Sequence, residues 1–393
     1  MMHGSKVIGI HLPLLLLTLI FTPAQILAEG VVIGVILPMS GSHASLGHMQ
    51  KNSMLLAVEE INSTGAISGE PLQLDIRDSR GQIRTARTFI DHFVKDKQYA
   101  VVLGGFSSKV AVSLAEKCEQ RRIPLVLMTG SEDAITLQEQ RFVFRIAPPR
   151  SRYLAAALDF AATGLDISRA ALIMERSSYG DSMARTVRKA AREAKWELSG
   201  DWKFEIGSRN LESLYAEASK TEPDAIFMAA FPPDGSKIVR ELRGILPDTV
   251  IFNLVPASTT AGSYAQCGEP CRYVLNPSLW QPGVFKSGVR YKEKYLARFG
   301  SEPDYHGAQA YAAVLVAAQA IRRSGVAEPE PVRDALESIS VNTPYGKVSF
   351  RQFDGFVNQY DPLNYLVQWS GTGFEVVWPE RYRTASPVLP KSD

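Results

Sequence analysis

Two loops hold the residue types from which a binding or catalytic site could be built. The first is "GGFSSKVA" (104–111): two glycines, an aromatic residue and the hydroxyls of Ser107 and Ser108, set between an apolar run and a helix-like stretch. Glycines let backbone approach a ligand, and the first turn of a helix presents N–H groups that lack intrahelical partners. With two hydroxyls beside them, these groups suit an anion. A carboxylate seated there gains about 0.3–1 kcal/mol from the helix dipole, in addition to its hydrogen bonds. Capping of the helix by Ser107 or Ser108 explains the same residues equally well. A phosphate loop fits less, because no Gly-Lys-Ser/Thr follows at the required spacing. The second loop is "TGSED" (129–133), where Thr129, Gly130 and Ser131 precede two acids. The acids favour a helix start. Two hydroxyl-rich loops point to joint binding of one ligand.

Catalysis needs more than these loops supply. A serine nucleophile wants a base and an orienting carboxylate. His43, His48, His92 and His306 lie in no recognisable motif, and "GGFSSK" lacks the G-x-S-x-G elbow. Ser108 and Lys109 are adjacent, so on an emerging helix their side chains diverge. A hydrolase is the weakest reading.

The elements that must position these loops alternate along the chain. "VVIGVILP", "LQLDIRD", "AVVLGG" and "IPLVLM" read as strands, separated by the helical patterns "MLLAVEEIN", "TARTFIDHFVKD" and "VAVSLAEKCEQ". Such alternation implies parallel βαβ units with right-handed crossovers. "GGFSS" and "TGSED" then sit at the carboxyl ends of neighbouring strands, where open parallel sheets bind ligands. "FRIAPPR" (144–150), with two prolines, breaks the rhythm, and a second series of strands and helices follows to "VIFNLVP" (250–256). Two helical patterns (around 287–299 and 305–324) and the strand-like runs "GKVSF", "NYLVQW" and "FEVVW" complete the chain. The fold class expected is α/β, with two doubly wound parallel-sheet lobes. The tail from 379 to 393 is expected to be loose.

The amino end, residues 1–28, has a short basic start, an apolar run and small residues at Ala24 and Ala28, the pattern of a secretory signal. Its core is shorter than the roughly 20 residues of a spanning helix, so a soluble, periplasmic product is expected. A net charge of +2 without basic blocks gives no footprint for nucleic acid or a membrane surface. Cys267 and Cys271, in the turn "CGEPC", suit a disulfide in an oxidising compartment. They form a poor zinc site, lacking nearby His or further Cys. Cys118 reads as a buried small hydrophobe. No cofactor and no metal are expected.

The opening "VIGVILPMSGSHASLGHMQKNSMLLAVEEINSTGAISGEPLQLDIRD", followed in order by "GGFSSKVA", "FRIAP" and "ERSSYGDSMA", resembles the branched-chain amino acid binding proteins of bacterial ABC importers. The resemblance spans roughly residues 31 to 370. It implies a type I periplasmic binding fold with three hinge crossings and clamshell closure. Lobe 1 would be 29–148 continued by 279–358, and lobe 2 would be 149–278 continued by 359–378. It further implies that Ser108 binds a ligand carboxylate, that Thr129 and Ser131 add contacts, and that Tyr179 reaches in from the far lobe. Three positions depart from the family pattern. Leu46 stands where an aromatic residue often lines the pocket, and Phe231 replaces a tyrosine. Val255 lies near the place of a glutamate that holds the ligand ammonium, with no acid from Ile251 to Thr260. Asp234 or Glu175 could substitute for that acid; otherwise a ligand without an ammonium is expected. The function implied is capture of a small carboxylate-bearing ligand and delivery to an ABC permease. A sensor that docks on a signalling receptor is the alternative, which fold alone does not exclude.

Overall fold

The structure, a computed structural model, describes Met1 and residues 30–96, 99–137, 140–256 and 261–390. Apart from Met1, the leader expected at the amino end lies outside these residues. The first lobe begins as β1 (Val31–Leu37), α1 (Ala44–Ser63), β2 (Leu72–Asp78), α2 (Ile83–Asp96), β3 (Tyr99–Gly104), α3 (Ser108–Arg121), β4 (Leu125–Leu127) and β5 (Val143–Arg145). The chain then crosses to α4 (Ala155–Thr163), β6 (Arg169–Glu175), α5 (Ser178–Ala194), β7 (Glu197–Phe204), α6 (Glu212–Thr221), β8 (Ala225–Ala229), α7 (Asp234–Ile245), β9 (Val250–Asn253), α8 (Ala261–Cys267) and β10 (Leu275–Ser278). It returns through α9 (Lys286–Phe299), α10 (Tyr305–Ser324), α11 (Pro329–Glu337), the hairpin β11 (Val341–Thr343) and β12 (Gly346–Val348), β13 (Arg351–Phe353) and β14 (Phe356–Gln359). A third crossing leads to β15 (Tyr365–Trp369) and β16 (Phe374–Trp378).

Two seven-stranded sheets result, ordered β13-β14-β5-β4-β3-β1-β2 and β16-β15-β10-β9-β8-β6-β7. The strands from β1 to β5, and those from β6 to β10, pair in parallel, while β13–β14 and β15–β16 close each sheet with antiparallel pairs. The central strands are covered on both faces, which is why they read as unbroken apolar runs. β3 is buried throughout. One face of the first sheet packs on α1 and the alanine-rich α10, the other on α2 and α3. The second sheet has its own two cores, around Phe227 on one face and Ile226 on the other.

Two parts of the chain differ from the expectation. "FRIAP" was expected only as a break, yet Val143–Arg145 is the strand β5. The break follows it, because prolines 148 and 149 carry no N–H for a ladder. The tail expected to be loose is bonded to the second sheet: Gln368 and Val388 exchange hydrogen bonds of 2.7 and 2.8 Å, and Thr384 N–H donates to the Val376 carbonyl. A disulfide joins Cys267 to Cys271, with 5.7 Å between their Cα atoms. Cys118 is buried, and burial pushes its thiol up, away from reactivity.

Candidate functional site

The carboxyl ends of β3, β4 and β5 lie side by side, so three loops meet at one edge of the first sheet. Gly105 turns the first loop with φ +81°, and a Cβ there would lie 2.3 Å from the Leu127 side chain. Only glycine fits both conditions. Gly130 N–H donates to the Gly105 carbonyl at 3.0 Å, which ties the second loop to the first. Arg150 N–H donates to the Ser131 carbonyl at 2.7 Å, which ties the third to the second.

Ser107 is the N-cap of α3: its backbone is extended and its hydroxyl accepts from Val110 N–H at 3.4 Å. Ser108 is the first residue of the helix, and its hydroxyl faces that of Ser131 at 3.5 Å. Arg150 Nη2 donates to Ser108 Oγ at 3.3 Å and lies 3.5 Å from the Glu132 carboxylate. Tyr153 is buried at the start of lobe 2. Burial pushes its hydroxyl pKa up, against the lowering influence of Arg150 and Arg145. Thr129 is buried, and its hydroxyl accepts from Gln50 of α1 at 2.7 Å. The site therefore presents hydroxyls, a guanidinium and a helix start, all donors to an anion.

Rings form one wall. His43 lies 5.1 Å from Phe106, Phe106 lies 5.5 Å from His306, and His306 stacks on Tyr305 at 3.9 Å. His306 Nδ1 is 3.0 Å from Asp304, whose carboxylate caps α10 through the N–H groups of His306 and Gly307. Leu46 is half-buried on α1. No group of three metal-ligating side chains occurs among the described residues.

Lobe 2 supplies the opposing side. Tyr179 and Phe231 meet edge to face at 5.2 Å. Tyr179 donates its hydroxyl to the Leu254 carbonyl at 2.7 Å, and burial pushes its own pKa up. Val255 is fully buried. Asp234, the half-buried first residue of α7, accepts from Gly207 N–H at 2.7 Å. Glu175 is buried, accepting from Ser177 Oγ at 2.6 Å and Phe231 N–H at 3.4 Å. Both acids thus serve their own lobe.

A cavity of about 670 Å³ lies at the flank of the cleft, lined by Trp280, Tyr305, Trp369, Phe374 and neighbours. It shares none of the cradle residues. The cradle is the better candidate, because specificity comes from a few converging polar groups rather than from volume.

The family described as Periplasmic binding protein matches residues 30–373. The chain belongs to that family. Among its relatives is a Leu/Ile/Val-binding protein homolog of Brucella melitensis, 24% identical, with 95% of this chain and 96% of the relative covered. The fold is similar to that of a branched-chain amino acid transporter substrate-binding protein from Streptococcus pneumoniae in complex with isoleucine. That match has a TM-score of 0.72 and 20% identity, covering 89% of this chain and 100% of the other. It is also similar to an ABC transporter solute-binding protein from R. palustris in complex with benzoate, with a TM-score of 0.70 and 17% identity, covering 92% and 98%.

Periplasmic binding proteins of this kind are substrate-binding components rather than enzymes. No helix among the described residues is long and apolar enough to cross a membrane. Within this periplasmic binding protein, sequence reasoning brought Ser108 and Ser131 together but missed Arg150, Tyr153 and the ring wall. The available signal for Arg150 was its place just after a strand end, hidden because "FRIAPPR" read as a boundary.

Proposed function

We propose that this protein captures a small carboxylate-bearing ligand between its lobes and delivers it to the permease of an ABC importer, without bond chemistry. Residues 1–28 would direct its export to the periplasm. The observation that carries the reading is the convergence of Ser108, Ser131 and Arg150 at three neighbouring strand ends. Isoleucine and benzoate, named for two similar structures, share a carboxylate and little else. A cradle of donors suits that shared group. Tyr179 and Phe231 would form the lid, with Leu46 and Val255 on the apolar wall. Thr129 would contribute through backbone and position, since its hydroxyl already serves Gln50.

A thermal-shift screen of amino acids, amides, short-chain acids and aromatic acids tests this. A ligand at a hundredfold excess over its dissociation constant should stabilise the fold by about 2.7 kcal/mol. The same ligand should make the protein more compact in solution scattering. A panel without a stabilising acid, or scattering unchanged at saturation, would overturn the reading.

A further inference from the structure

We infer that Arg150 reads the charge of the ligand, so that the site accepts an ionised acid and refuses its amide. Ser108 and Ser131 are neutral and serve either kind of oxygen. Arg150 is the cation among the cradle's polar groups. Its backbone N–H is anchored on the Ser131 carbonyl at 2.7 Å, which fixes its position beside the second loop. Its guanidinium reaches Ser108 Oγ through Nη2 at 3.3 Å. The same Nη2 is 3.5 Å from Glu132, whose side chain is 46% exposed against 21% for Arg150. An ion pair that long and that wet is weak, so a ligand carboxylate can displace it. A planar fork of donors matches a carboxylate in two places at once and matches a neutral amide poorly.

The inference rests on the capture reading and adds to it which residue enforces the charge. It is tested by calorimetry on the mature chain with benzoate and benzamide, leucine and leucinamide, and 4-methyl-2-oxopentanoate. Wild type should bind at least one acid about tenfold or more tighter than its matched amide. Arg150→Gln should weaken that acid by about tenfold to a hundredfold, the effect of a lost charged hydrogen bond, and leave the amide unchanged. Arg150→Lys should recover part of the discrimination, since it restores charge without the fork. Glu132→Gln, which frees the guanidinium, should tighten the acid; this arm does not depend on Arg150→Gln folding. A structural role alone would weaken acid and amide together. Arg150→Gln with the wild-type acid-to-amide ratio overturns the inference and leaves capture standing. Glu132→Gln that fails to tighten the acid also counts against it. If wild type binds none of these probes at millimolar concentration, the capture reading falls, and the role of Arg150 falls with it.

Discussion

Ser107 and Ser108 are adjacent, yet the fold gives them separate tasks. Ser107 caps α3, while Ser108 turns its hydroxyl toward Ser131 and Arg150. "GGFSS" allowed either residue to do either task; the extended backbone of Ser107 decides it. Ser107→Ala should lower stability by about 0.5–2 kcal/mol, as loss of a cap does, with little change in affinity per folded molecule. Ser108→Ala should weaken an acid ligand by about 1–3 kcal/mol and leave the melting temperature nearly unchanged. A denaturant melt and a calorimetric titration of each variant separate the two, and reversed effects would show the assignment to be wrong. The opposing wall raises the question of the ammonium. A buried ammonium without an acid costs several kcal/mol. Val255 is apolar, Asp234 serves Gly207, and Glu175 serves Ser177 and Phe231. The deaminated 4-methyl-2-oxopentanoate should therefore bind more tightly than leucine. Tight leucine binding that is abolished by Glu175→Gln would instead make Glu175 the ammonium partner. The sequence made the absence of an acid near Val255 visible, but not where Glu175 and Asp234 direct their carboxylates. Nor did it show Arg150, whose contact with Ser108 spans 42 residues and exists only because β3, β4 and β5 are neighbours.

Most elements were legible because the central strands are apolar runs and the helices carry a clear period. What escaped were elements defined by partners rather than pattern. β10, "LNPS", contains a proline and buried polar residues, and is a strand because β9 and β15 flank it. The tail has no periodicity and is held by a few hydrogen bonds to Gln368 and Val376. The ring wall was equally hidden, since its members come from the loop after β1, the loop after β3 and the start of α10. That helix start also responds to pH. Burial pushes the Asp304 carboxyl up, but His306 and the two N–H groups it caps outweigh burial and hold it below its ordinary value. A depressed carboxyl contributes stability above its unfolded value, near 3.8, and loses it as pH falls through the lower folded value. Asp304→Asn keeps a capping side chain but does not titrate. The advantage of wild type over Asp304→Asn should be full above the ordinary carboxyl value of 3.8 and fade as pH falls below it. A pH-independent difference in thermal melts would exclude this account.

At the scale of the whole molecule, three crossings join two lobes with separate cores, and the ligand affinity includes the equilibrium between open and closed forms. A ligand that binds only the closed form has its affinity reduced by the fraction of protein that is closed. Both the two-lobed architecture and the crossings followed from the alternation of elements and the resemblance. The contacts that balance closure did not, because they join side chains from distant parts of the chain. Tyr305 is the clearest of these. It begins α10 in lobe 1, yet its ring packs against the cores of both lobes. Burial holds its hydroxyl well above its ordinary pKa. Truncating it removes apolar contact that the closed form makes with lobe 2, at about 25 cal/mol per Å² of area lost. Tyr305→Ala should therefore open the unliganded protein, increasing its radius of gyration in scattering. It should weaken every ligand by a common factor, about 1–2 kcal/mol, mainly through faster dissociation. The acid-to-amide ratio should stay at the wild-type value, because the ring acts on closure and Arg150 acts on charge. A Tyr305→Ala protein that stays compact but loses that ratio would place the ring on the ligand itself.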